Sequence, residues 1–322
     1  MGTTALFRET EALSRLDGSQ NNIVLSSKPE DNMATPKNKP STPSAKKSVR
    51  PSTTRETAGP GHDFEDRVGA WLLLTALAGE PLPGIGGTAV MLQTQVEAGH
   101  WHIDDILLTT VVSGEDRRLA ISCKSNVQVT SKALPADFVT RCWQQWSKPE
   151  PNPMVRGRDR LALVTRGRNS AFMATWSELK NAAVGADVEL AIGRMRANAK
   201  YCALFDSVKN PAQDAGVAVS DTEVVAMIDS IFVEPLDFQL AESQNERDAV
   251  GRSRRLLVNG SLAHGMALWE DLVGCVRDTR LGSGTLAIED LWERLRTDNT
   301  WDRPRFRRNR GITVTVYLIH NS

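Results

Sequence analysis

Residues 101–124, WHIDDILLTTVVSGEDRRLAISCK, hold two apolar, β-branched runs on either side of a short polar break. Such runs bounded by turn residues read as the two strands of a hairpin, Trp101–Val112 and Arg118–Lys124 about a turn at Ser113–Asp116. The neighbouring segments extend the pattern. Before the hairpin, GHDFEDRVGAWLLLTALAGEPLPG spaces Phe64, Val68, Trp71 and Leu72 on one helical face, with Asp63 as N-cap and Gly79 and Pro81 as stop, and Val90–Val96 reads as a strand. After it, Pro135–Ser147 places Phe138, Val139, Cys142, Trp143 and Trp146 on one side of a helix, and Arg160–Thr165 returns as a strand. Helix, strand, hairpin, helix and strand in this order predict an α/β sandwich.

The rest reads as mostly helical: Ser170–Ala183, Val188–Val208, Asp221–Ile231, Leu262–Val276 and Leu286–Arg296, with IFVEPLDF a last strand and Ala241–Arg255 a connector or exposed helix. The expected organisation is a basic N-terminal segment at 1–60, a core domain at 61–240 and a helical C-terminal extension at 241–322. Within the first segment, 34–55 carries six basic residues and no acid among Pro, Ser and Thr, a composition that cannot bury enough surface to offset its ordering entropy. It reads as a solvated tether or as a basic arm on nucleic acid. The end, WDRPRFRRNRGITVTVYLIHNS, places five arginines between Arg303 and Arg310 before a strand-like VTVYLI.

Lys plus Arg and Asp plus Glu are both 39, so net charge points to no partner class. Four scattered cysteines without a C-x-x-C pair support neither zinc nor a disulfide framework, and suit reducing cytoplasm. No apolar run reaches the roughly 20 residues of a membrane span, the N-terminus lacks a signal-peptide core, and MGTTAL has Leu where myristoylation needs Ser or Thr. GEPLPGIGGT is glycine-rich, but no G-x-x-x-x-G-K-[ST] occurs, so a P-loop is not expected.

Asp104 and Asp105 stand among Ile103, Ile106, Leu107 and Leu108, where an unpaired carboxylate is costly to desolvate. If a four-residue loop sets Val112 opposite Arg117, then Asp105 faces Lys124, and Ser122 shares their side of the sheet. A slip of one residue puts Asp104 there instead. Glu65 lies on or beside the buried face of the first helix, in step with Val68 and Leu72. Two carboxylates and a lysine at the edge of a core suit a hard divalent cation, Mg²⁺ or Mn²⁺, beside a phosphodiester.

These residues resemble a known family. D-x(16)-S-C-K counted from Asp105, behind the GHDFED helix, looks like the PD-(D/E)xK, restriction-endonuclease-like phosphodiesterases. GHDFEDRVGAWLLLTALAGEPLPG, WHIDDILL and LAISCKSN are more narrowly similar to N-terminal nuclease domains of bacterial antiphage STAND-type proteins. The resemblance implies a mixed sheet flanked by helices, with Asp105 and Glu65 on the metal, joined by Asp104, and with Lys124 as catalytic lysine. Gln144 or Gln145 matches a polar helix residue near the site. Ser122 stands where the family has Asp or Glu, which points to one metal rather than two. The expected activity is Mg²⁺-dependent cleavage of double-stranded DNA by a defence effector, acting as a homo-oligomer. The alternative is a weakened nuclease fold that binds DNA or docks a partner. A STAND-type NTPase domain would then lie outside this chain, making it a truncated or stand-alone version.

Plainer roles compete with each assignment. Paired aspartates near a strand start also serve turns, and a strand-end lysine also protects an edge. Cys123 and the tryptophans Trp143 and Trp146 read as core, and His62, His100 and His102 as caps or exposed edges.

Overall fold

The computed structural model describes residues 60–96, 100–126, 129–184, 187–238, 243–258, 260–282 and 284–297. The arm at 34–55, the Arg303–Arg310 cluster and VTVYLI lie outside them.

The chain opens with α1 (Pro60–Leu77), which starts on a proline and therefore places Asp63 within its first turn rather than at its cap. Phe64, Val68, Leu73, Leu74 and Leu77 are all fully buried, so α1 is a central helix with apolar side chains on most of its circumference. Gly79, at φ 67°, ends it in the left-handed conformation that glycine adopts without strain.

Strands β1 (Thr88–Thr94), β2 (Ile106–Val112) and β3 (Glu115–Lys124) form an antiparallel meander. After α2 (Ala136–Ser147) comes β4 (Arg160–Thr165), parallel to β3. A helical excursion follows: α3 (Ser170–Ala183), α4 (Val188–Ala197), α5 (Ala199–Lys209), α6 (Pro211–Asp214) and α7 (Asp221–Ser230). It delivers β5 (Ile231–Pro235), parallel to β4. The chain continues as α8 (Gln244–Leu256), α9 (Leu262–Leu281), β6 (Thr285–Ala287) and α10 (Ile288–Thr297). The result is an α/β fold around a mixed six-stranded sheet ordered β5-β4-β3-β2-β1-β6.

Two cores cover the sheet. On one face α1, α8, α9 and α10 pack through Leu73, Trp269, Leu272 and Leu291 against Ile106, Leu108 and Ile121. On the other, α2, α3, α4, α5 and α7 pack through Phe138, Trp143, Phe172 and Phe205 against Leu107, Ala120 and Leu163. The segment after residue 241 supplies the edge strand β6, which pairs with β1.

Three expectations are corrected. The β2–β3 turn has two residues, not four: Ser113 (φ 54°) and Gly114 (φ 85°) both take positive φ, as a type I′ hairpin turn requires, and Val112 pairs with Glu115. Trp101–Asp105 are not strand, because the polar face of α2 grips them. Gln145 Oε1 accepts from His102 N at 2.7 Å, and Arg141 Nη1 donates to Asp104 Oδ1 at 2.8 Å. The helix expected over 188–208 is two helices, since Asn198 leaves helical φ/ψ and its side chain accepts from Lys200 N at 2.9 Å, capping α5.

Candidate functional site

The two-residue turn shifts the hairpin register by two, which keeps every side chain on its expected face but changes its partner. Continuing the ladder from Ile106↔Ile121 sets Asp105 across from Ser122 rather than Lys124. The contact follows: Asp105 Oδ2 accepts from Cys123 N at 2.6 Å and from Ser122 Oγ at 3.3 Å. Oδ1 takes part in neither bond.

Glu65 stands on α1. Its Oε2 lies 3.1 Å from His62 Nδ1, one turn back. Burial is the main cause that raises the Glu65 carboxyl above its ordinary value. The His62 hydrogen bond opposes it, the charge of Asp105 adds to it, and Arg280 of α9 draws it down. Asp105 is raised too, by burial first. The Cys123 and Ser122 hydrogen bonds and the Lys124 charge pull the other way, and the charge of Asp104 adds to the rise. Ser122 and Cys123 N thus hold the Asp105 carboxylate, and the charges of Lys124 and Asp105 act on Asp105 and Glu65 respectively. The Cys123 thiol is pushed well up, mostly by burial and further by Asp105 and Glu65, so it is an inert core thiol.

Two expected site residues have other partners. Asp104 Oδ1 accepts from Arg141 Nη1 of α2 at 2.8 Å. Lys124 Nζ lies 3.7 Å from Asp137 Oδ2, also on α2. Gln145 is fully buried and bridges His102 N and Asn152 Oδ1, so its role is to fix the 100–105 loop. Trp143 is core, its Nε1 donating to Val208 O at 2.7 Å. Sequence reading missed Arg141, Asp137 and Arg280. The i, i+4, i+7 spacing of Arg141, Gln145 and Lys148 was a usable signal for the polar α2 face that holds the loop.

Among the described residues no three His, Cys, Asp or Glu side chains are grouped to hold a metal unaided. Two carboxylates do suit Mg²⁺, which keeps several waters and is bound through one or two carboxylates together with a ligand's phosphates. No described helix is long and apolar enough to cross a membrane.

No family model matches the chain. No curated protein matches it either. Similar solved structures include an Acinetobacter baumannii Cap4 SAVED/CARF-domain containing receptor with the cyclic trinucleotide 3'3'3'-cAAA, at 10% identity and TM-score 0.42, covering 73% of this chain and 44% of that one. The same receptor with 2'3'3'-cAAA gives 11% identity and TM-score 0.44 over 73% and 44%. A Moraxella osloensis Cap4 SAVED/CARF-domain containing receptor gives 11% and 0.40 over 76% and 49%. This chain thus spans less than half the length of the structures it matches.

These structures are named as receptors and none of them as a nuclease. The expected PD-(D/E)xK nuclease domain, its Mg²⁺-dependent cleavage of DNA and the weakened-nuclease alternative are withdrawn: the structures found are named for a SAVED/CARF domain. Asp104, expected on the metal, is engaged by Arg141, and Lys124, expected to serve catalysis, has an acidic neighbour in Asp137.

Proposed function

We propose that this chain is a ligand-binding domain that takes a phosphate-bearing small molecule through a hydrated Mg²⁺ held by Glu65 and Asp105, with Lys124 beside it. What supports the reading is a pair of half-buried carboxylates, Glu65 on α1 and Asp105 just before β2, the latter with Oδ1 outside its two hydrogen bonds; burial raises both. Carboxylates so placed resist ionising together, and a cation between them relieves both the desolvation and the repulsion. A hard cation on two protein oxygens has positions left for phosphate oxygens, and the Lys124 ammonium adds a second attraction for the same anion. Ser122 contributes a hydroxyl and no charge, so the reading is of one metal. The four cysteines stand unbridged, three of them buried, which suits a reducing cytoplasm.

The test is thermal unfolding with Mg²⁺ against EDTA. Mg²⁺ raises the midpoint of the wild-type chain and leaves Glu65→Gln and Asp105→Asn unmoved. An unchanged wild-type midpoint, or the same rise in both variants, overturns the reading. Added 3'3'3'-cAAA, held by one of the similar structures, probes for a cyclic oligonucleotide as the phosphate ligand.

A further inference from the structure

A cavity of about 540 Å³, the size of a small-molecule site, is bordered by β1, β2, β3, β6 and the end of α9. It adjoins Asp105 through the backbone. Gln95 N and Val96 N, both on its lining, donate to Asp105 O at 3.3 Å and Asp104 O at 3.0 Å. A second link runs through Arg280 on the lining, which pairs with Asp66, the residue after Glu65.

The lining has three kinds of surface. Arg280 and Arg118 supply positive charge: Arg280 Nε and Nη2 donate to Asp66 Oδ1 and Oδ2 at 3.0 and 3.1 Å, while Nη1 takes part in neither bond, and Arg118 Nη1 donates to Pro153 O. Asp66 is 1% exposed and follows Glu65 in the chain, so one buried carboxylate orients both the guanidinium and the helix turn that carries Glu65. Gln93, Gln95, Thr109 and Thr285 supply neutral donors and acceptors, and Asp116 supplies acceptors for hydroxyl groups. Met91, Leu107 and Trp101 supply an apolar surface. Thr94, also on the lining, is 5% exposed, and its hydroxyl has no hydrogen-bond partner among the described residues.

We propose that this cavity is a nucleotide pocket in which Arg280 receives the phosphate and the amide, hydroxyl and apolar residues receive the sugar and base. The proposal rests on the reading of Glu65 and Asp105 as a cation site for a phosphate ligand, and it names that ligand's class. A nucleotide matches the lining end to end: an anion, a hydrogen-bonding sugar and a flat base with polar edges. Arginine suits the anionic end because its planar fork pairs with phosphate oxygens while its other edge stays on Asp66.

The experiment is calorimetric titration of the full chain in Mg²⁺ with 5′-AMP, and with adenosine and inorganic phosphate as separate arms. AMP binds saturably and at least about tenfold tighter than either fragment, since each keeps only part of the contacts. Arg280→Gln weakens AMP by about tenfold or more, as expected for loss of a charge-assisted hydrogen bond. Because that variant also unpairs Asp66, Gln93→Trp provides the second arm. It fills the cavity, weakens AMP to the same degree and leaves the thermal response to Mg²⁺ intact. Absence of saturable AMP uptake by the wild type, AMP no tighter than adenosine or phosphate, or wild-type affinity in Gln93→Trp overturns the pocket. If the Mg²⁺ response persists in that case, only the pocket falls; if it is absent, the cation site falls with it.

Discussion

Asp105 lies across the hairpin from Ser122 and takes two hydrogen bonds on one oxygen, from Cys123 N at 2.6 Å and from Ser122 Oγ at 3.3 Å. The short bond satisfies a backbone donor at the end of β3, while the long one joins two side chains. Their removal therefore has unequal cost. Asp105→Ala leaves the Cys123 N–H without its acceptor, at about 1–3 kcal/mol, and Ser122→Ala costs less than about 1 kcal/mol. Urea unfolding of both variants checks the order; equal losses mean that the backbone bond contributes nothing.

Glu65 sets a pH dependence whose sign follows from its surroundings. Burial, chiefly, raises its folded-state pKa above the unfolded value of 4.5. The folded chain then holds the proton more tightly than the unfolded chain. Stability from this group is fully present below the unfolded pKa and is lost as pH rises through the raised folded value. Glu65→Gln keeps an acceptor for His62 and removes the charge. It is expected to be more stable than wild type near pH 7 in EDTA, with the gap closing towards pH 4. Unfolding midpoints across this range check it, and a gap that widens on acidification contradicts it.

Asp66 ties α1 to α9. It is 1% exposed and accepts from Arg280 and from Arg277 Nε at 3.2 Å. Asp66→Asn strands the buried Arg280 guanidinium, at about 3–5 kcal/mol. A double-mutant cycle with Arg280→Gln measures the coupling by chemical denaturation, and additive losses contradict the clamp.

The same two helices meet at Gly69, where a Cβ would lie 2.7 Å from Val276 Cγ1 and 3.0 Å from Cγ2. Gly69→Ala overpacks this crossing at about 1–3 kcal/mol, despite the better helix propensity of alanine. Val276→Ala in the same chain relieves part of that loss. Thermal unfolding of the single and double variants reads the compensation, and a further drop in the double variant contradicts it.

How much of this was legible in the sequence depends on the range of the interactions concerned. Strand β4 and helix α3 were bounded as Arg160–Thr165 and Ser170–Ala183, because side-chain periodicity is a local signal. The hairpin face was legible, since the side-chain period of two survives a shift of two residues, and this is why Asp105, Ser122 and Lys124 were grouped. Their pairing was not legible until Ser113 and Gly114 were seen with positive φ. Strand β6 was missed because only three residues at the sheet edge pair with β1, and such a run has no period to read. Arg280 was missed because it comes within reach of Glu65 only through the α1–α9 packing, 214 residues from Asp66 in the chain. The functional reading failed where a short motif was made to stand for an activity.

The most direct test of the cation site is anomalous diffraction from crystals of the wild-type chain grown with Mn²⁺. The account predicts an anomalous peak between the carboxylates of Glu65 and Asp105, absent from Asp105→Asn crystals grown in the same way. A wild-type map with no peak there, or a peak that persists in Asp105→Asn, contradicts it.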